Sequence, residues 1–278
     1  MTAQTYRAVP NTRRARVRQG TIYSEVVGQG SPLLLLHGLG ASTRWWQRNI
    51  AALAYRHEVH ILDMHGFGRS SGQFVLCDAA DILAEWMQHN GIMRSSLIGH
   101  SMGGYIAANF AHQHPLLVDK LVLVDPAISV SGVRPEMGGF GRQRHSVIPC
   151  SMVATALYDL GRAGLPTLAK AAHEMMTRDM GPILERIKAS TLLIWGEHDS
   201  AVPVSMGREL ARRLQQAKLR IMPAPAMFQC GKSRRSLTAR WRISWPVQRS
   251  STGRPTSVAG FNGLEAVTVR CAPETYGR

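Results

Sequence analysis

Seven short runs set the possibilities for this chain between residues 21 and 223: TIYSEVV, PLLLLH, VHILD, SLIG, KLVLVD, TLLIW and KLRIM. Several are nearly undiluted Leu, Ile and Val, with no polar residue kept for a solvent face. A strand of that composition must be covered on both sides, as the central strands of a parallel sheet are. Between the runs lie segments with helical spacing: Arg44–Tyr55, Cys77–Asn90, Met102–His114 and Val204–Gln216. Pro115 stops the third, because proline cannot continue the helix ladder. The alternation predicts an α/β protein, with a mainly parallel central sheet flanked by helices.

One interval breaks the rhythm. From Ala127 to Arg186 no strand pattern occurs, only Gly- and Pro-interrupted pieces rich in Met and Ala, such as MVATALYDLGRAGLPTLAKAAHEMM. About 60 residues are too many for a simple crossover. A helical cap over residues 127–186 is therefore expected, with ordinary sheet-covering helices as the alternative. The core is expected in 21–126 and 187–223.

The formal charge of +15 suggests a nucleic-acid ligand until it is located. Residues 1–20 carry +5 and residues 224–278 carry +7, leaving an ordinary +3 for 21–223. A nucleic-acid surface needs its cations clustered on a folded face. Here they sit in a basic N-terminal arm, 1–20, and a C-terminal tail, so no specific nucleic-acid partner is expected. No apolar run approaches the ~20 residues of a membrane span, and the N-terminus lacks the apolar core of a secretory signal. Cys77, Cys150, Cys230 and Cys271 lie far apart, in no metal-ligand spacing. They fit reduced thiols in a cytoplasmic protein with no metal and no cofactor. The oligomeric state is not legible.

Chemistry concentrates in LIGHSMGGYIAANFAHQHP, where a strand pattern passes through Gly99-His100-Ser101-Met102-Gly103 into a helix. A serine on so sharp a turn has strained backbone, and the flanking glycines avoid Cβ clashes. Its hydroxyl would stand beside the positive end of the following helix. Three more motifs occur at ordered spacings: LLLLHGLGAS, DMHGFGRSSG and LLIWGEHDSAVP. Together the four resemble the α/β-hydrolase superfamily over roughly residues 17–223, specifically its capped, esterase-like members, which include carbon–carbon bond hydrolases.

The resemblance implies roles. Ser101 would be the nucleophile, and the backbone amides of Leu39 and Met102 the oxyanion hole. His37, Gly38, Gly99 and Gly103 would support them, and Asp199 would be the acid. Asp125, at the end of KLVLVD, is the fallback acid, and Asp199 could instead cap the helix that follows it. Asp63 and the glycines after it are read as shaping a turn. His100 is a poor base, since consecutive residues point opposite ways on leaving a strand. Trp45 and Trp46 suit core packing better than a pocket wall. The substrate would be a small molecule with a carboxylic ester or related acyl or carbon–carbon bond; cofactor-free peroxidase chemistry stays open.

A triad needs an imidazole within reach of the serine, and in this superfamily it follows the last core strand. Yet no histidine occurs after His198. The segment APAMFQCGKSRRSLTARWRISWPV after KLRIMP has neither helix nor strand periodicity. Restoring one G after the Pro223 codon lets the downstream bases read PGAGHVPMWEKPEEFNRAVADFLAGP, with a Gly-His followed by an amphipathic helix. Residues from Ala224 onward are thus expected to be out of frame. A non-catalytic small-molecule binder of the same lineage is the rival expectation.

Overall fold

The computed structural model describes residues 10–47, 49–130, 161, 164–197, 199 and 201–222. Eight strands form one sheet: β1 (Asn11–Val17), β2 (Gly20–Val27), β3 (Ser31–Leu36), β4 (His57–Asp63), β5 (Ser95–His100), β6 (Val118–Val124), β7 (Ser190–Gly196) and β8 (Ala217–Met222). Their spatial order is β1-β2-β4-β3-β5-β6-β7-β8. The β1–β2 and β2–β4 pairs are antiparallel, and every later pair is parallel. The helices are α1 (Ile50–Ala54), α2 (Ala79–His89), α3 (Met102–Gln113), α4 (Leu165–Thr177), α5 (Gly181–Leu184) and α6 (Val204–Arg213).

The solid aliphatic runs are explained by two cores. In β3, Leu34 and Leu36 join the larger cluster with α2, α3 and α6, while Leu33 and Leu35 join a second cluster with Trp46, Leu53 and Ala54 on the opposite face. All four leucines have no exposed surface. Helix α3 can lie close on the sheet because its inner residues are small, Gly103, Gly104, Ala107, Ala108 and Ala111, all buried.

Three boundaries need correction. Residues 11–17 are not part of an arm: they form the edge strand β1, where Ala15 and Val17 are buried and Arg13, Arg14 and Arg16 exposed. The arginines hid the alternation, and charge on an edge strand discourages pairing with another chain. The expected helix over Arg44–Tyr55 is a 3-10 turn at Thr43–Trp46 and the short α1. The core also resumes before residue 187: Met180 and Leu184 are fully buried in the larger cluster, and the Met180 amide donates to the Ser129 carbonyl. Helix α4 sinks Leu168, Ala171 and Met175 into that same cluster. The rest of the expected cap, and everything from Pro223 onward, including the out-of-frame tail, lies outside the described residues. So do Cys150, Cys230 and Cys271; Cys77 is a free, exposed thiol. Among the described residues no helix is long and apolar enough to cross a membrane.

Candidate active site

Ser101 sits where β5 ends and α3 begins, with φ 51 and ψ −114. A non-glycine residue reaches that region only when its surroundings hold it there. They do so through the backbone: the Ser101 amide donates to the Val124 carbonyl at 3.0 Å, and its carbonyl accepts the amides of Gly104, Tyr105 and Ala127. The flanking glycines are steric requirements. A Cβ on Gly99 would run into the Gly103 carbonyl, and one on Gly103 into the carbonyls of Leu36 and His37. The first amides of α3, Met102 included, have no intrahelical carbonyl to bond.

The loop after β3 lies against this elbow. A Cβ on Gly38 would stand 3.4 Å from the Ser101 Cβ and 3.0 Å from the His100 Nδ1. His37, fully buried, fixes the loop's direction. Its Nε2 accepts the Met64 amide at 3.0 Å, so the ring proton sits on Nδ1, which donates to the Gly38 carbonyl at 2.8 Å. The Ala41 amide donates to that same carbonyl. Across a trans peptide the N–H opposes the C=O, so the Leu39 amide is aimed away from those donors.

His100 stacks on Trp45, with ring centroids 4.8 Å apart and planes at 17°. Burial, and then the neighbouring His37, push its pKa down to about 3. A ring so reluctant to take a proton is a poor general base. The two tryptophans therefore part company: Trp46 is core, while Trp45 lies beside the elbow.

The two carboxylates end adjacent strands. Asp125 follows β6 with φ 40; its amide donates to the Ile194 carbonyl, and its Oδ1 accepts the Gly196 amide at 2.9 Å. Burial, and then the charge of Asp199, raise its pKa to about 7. Asp199 follows β7, and its Oδ1 accepts the amides of Ala201 at 2.8 Å and Val202 at 2.9 Å. Burial raises its pKa too, against those two amides. One oxygen of Asp199 thus serves the turn before α6. Hydrogen bonds connect both acids to Ser101: Val124 and Ala127, on either side of Asp125, hold Ser101, and Gly196 links Asp125 to Asp199.

Asp63 shapes the turn after β4, as expected, but does more. Its fully buried carboxylate accepts the amides of Thr43 and Arg69. Neither Arg69 nor Thr43 stands out in the sequence, and only the burial of an acid beside them marks them. Among the described residues no group of His, Cys, Asp or Glu is placed to hold a metal ion.

Residues 31–146 match the sequence pattern of a family described as the alpha/beta hydrolase fold. The strand order, the helices on both faces and the strained serine at the β5–α3 turn agree with it. The chain has the α/β-hydrolase fold. RutD of Yersinia enterocolitica is 38% identical over 37% of this chain, which spans 40% of RutD's length. A pimeloyl-[acyl-carrier protein] methyl ester esterase of Vibrio atlanticus is 26% identical over 70% of the chain and 86% of its own length. The crystal structure of a membrane phospholipase A superposes with a TM-score of 0.67 at 25% identity, covering 77% of this chain and 78% of that chain. These three proteins are named for hydrolysis or esterase activity. Other relatives are named acyltransferases, such as human ABHD5, 33% identical over 37% of this chain and 32% of its own length.

Proposed function

We propose that this chain is a serine hydrolase scaffold for a small molecule carrying a carboxylic ester or a related acyl or carbon–carbon bond. The observation that carries the reading is the strained Ser101, φ 51, lying beneath a loop whose Gly38 approaches its Cβ. In the proposed reaction the Ser101 hydroxyl attacks the substrate carbonyl. The serine proton passes to the imidazole the reaction needs, and the amides of Leu39 and Met102 bind the oxyanion. Collapse breaks the acyl C–O bond and expels the alcohol, which takes that proton; water then hydrolyses the acyl-enzyme to the acid and free serine. Asp199 is the acid that orients and charge-balances the imidazole such a reaction needs, and Asp125 is the alternative. We assign substrate choice to the segment between β6 and α4.

The imidazole itself is not among the residues after His198, and we propose that the chain is out of frame from Ala224. Loss of the triad histidine costs up to ~10⁶ in turnover. That same observation favours a second reading, a small-molecule binder that keeps the pocket without the base. The test compares the chain as given with the frame-restored form on short p-nitrophenyl esters, beside a Ser101→Ala control. Turnover confined to the restored form, and lost with Ser101, supports the hydrolase. If neither form turns over ester or reacts with a fluorophosphonate at Ser101, the binder reading stands in its place.

A further inference from the structure

The loop presenting Leu39 runs from His37 to Thr43, and both of its ends hang on the segment just after β4. At the start, the Met64 amide donates to His37. At the far end, the Thr43 amide donates to Asp63 Oδ1 at 2.5 Å, and the Thr43 hydroxyl accepts Arg69 Nη2 at 2.5 Å. Arg69 is spread over four partners. Its amide donates to Asp63 Oδ2 at 2.8 Å, Nη1 to the Tyr23 hydroxyl at 2.7 Å and Nη2 also to Glu25 Oε1 at 2.6 Å. Its guanidinium lies 3.8 Å from the Tyr23 ring centroid. Gly68, with φ +52, lets the chain wrap the carboxylate, because a Cβ there would strike Asp63.

Tyr23 and Glu25 belong to β2, in the sheet's antiparallel edge. Arg69 therefore connects β2 to the far end of the loop that would carry the oxyanion donor. Resting on the serine-hydrolase reading above, we propose that Arg69, working with the buried Asp63, is a positioning residue that holds the His37–Thr43 loop so that the Leu39 amide faces the developing oxyanion. A planar guanidinium can meet the carboxylates, the phenol and the hydroxyl at once; a lysine ammonium cannot reproduce that fork. An oxyanion donor is worth 10²–10³ in rate, and ~1 Å of misplacement near 10².

The experiment takes the full chain, as given and frame-restored, with Thr43→Val, which removes one acceptor, with Arg69→Lys, and with Arg69→Met combined with Glu25→Gln. Two quantities are read: the rate constant for fluorophosphonate reaction at Ser101, and hydrogen exchange of the peptide spanning 37–43. Labelling should slow about tenfold in Thr43→Val and about 30-fold in Arg69→Lys. Exchange should rise in 37–43 and not in β5 or α3. A purely structural role would instead raise exchange across the sheet and leave the labelling rate of the folded fraction unchanged. Folded variants that label within twofold of the parent overturn the proposal. Should the frame-restored parent also fail to label, the hydrolase reading fails first, and exchange unchanged at 37–43 still overturns the clamp.

Discussion

The site has two halves, and they are held together by opposite means. On the β3–β5 side, order comes from close backbone contact and neutral imidazoles: glycines at 99 and 103 admit no side chain, Gly38 packs tightly on His100 and Ser101, and His37 bridges Met64 to Gly38. On the β6–β7 side, order comes from two carboxylates at neighbouring strand ends, each accepting backbone amides and each made harder to ionise by burial. The first half leaves a serine in a conformation that only its neighbours sustain. The second stores electrostatic tension that a cationic imidazole would relieve. Geometry is therefore constrained at Ser101, and charge is concentrated at Asp125 and Asp199.

The comparison breaks most readily at Gly103. Both obstacles to a Cβ there are backbone carbonyls, of Leu36 and His37, which cannot swing aside. Gly103→Ala should destabilise by on the order of 4 kcal/mol or abolish folding, as seen in urea unfolding. Gly91→Ala, where nothing lies within 4 Å and only φ +68 is disturbed, should cost about 1 kcal/mol. Equal losses would remove the claim that backbone approach locks the first half.

Alkaline pH should strain the second half. Asp125 titrates near 3.8 when unfolded and at about 7 in place. Its raised pKa contributes stability that is complete below pH ~4 and lost as pH rises through about 7. Asp125→Asn keeps an oxygen for the Gly196 amide and cannot ionise. It should be more stable than the parent by up to about 4 kcal/mol at pH 8 and equal to it at pH 4. Asp199→Asn, which removes the like charge, should shift that midpoint downward. A flat difference between parent and Asp125→Asn across pH 4–8 would show that the two carboxylates are not opposed.

Acid should act on the first half instead. His65, in the loop after β4, is fully buried, and its Nε2 accepts the Val75 amide at 3.3 Å. Burial pushes its pKa down from 6.5 to about 4. A depressed histidine contributes stability that is whole above pH 6.5 and lost as pH falls toward 4, about 3 kcal/mol in all. His65→Gln should flatten the acid limb of the stability curve. An unchanged limb would place the acid sensitivity elsewhere.

The halves also differ in what their residues disclose. Glycine at 99 and 103 around a serine can be read directly, because the physical demand, absence of a side chain, is itself the residue type. Solid runs such as PLLLLH likewise announce strands buried on both faces. Strand β1 is hidden, since arginine at three outward positions masks a two-residue alternation carried by Ala15 and Val17 alone. Arg69 is hidden for another reason: an arginine in a polar loop looks the same whether water or a buried carboxylate receives it. The acids fall between, because an Asp after a strand is visible in both KLVLVD and GEHD, while which one faces the base depends on three-dimensional placement that spacing does not encode.

The smallest expected effect tests the strain at Ser101 itself. Ser101 holds φ 51 with ψ −114, a region that glycine enters freely and that costs other residues ~1–3 kcal/mol. Ser101→Ala and Ser101→Gly both delete the hydroxyl, and both should abolish fluorophosphonate labelling. Only glycine releases the strain, although its greater freedom in the unfolded chain returns part of the gain. Ser101→Gly should therefore unfold at higher urea than Ser101→Ala, by about 1 kcal/mol. If alanine is equal or better, the elbow is not strained, and the first half owes its shape to packing rather than to a conformation imposed on the serine.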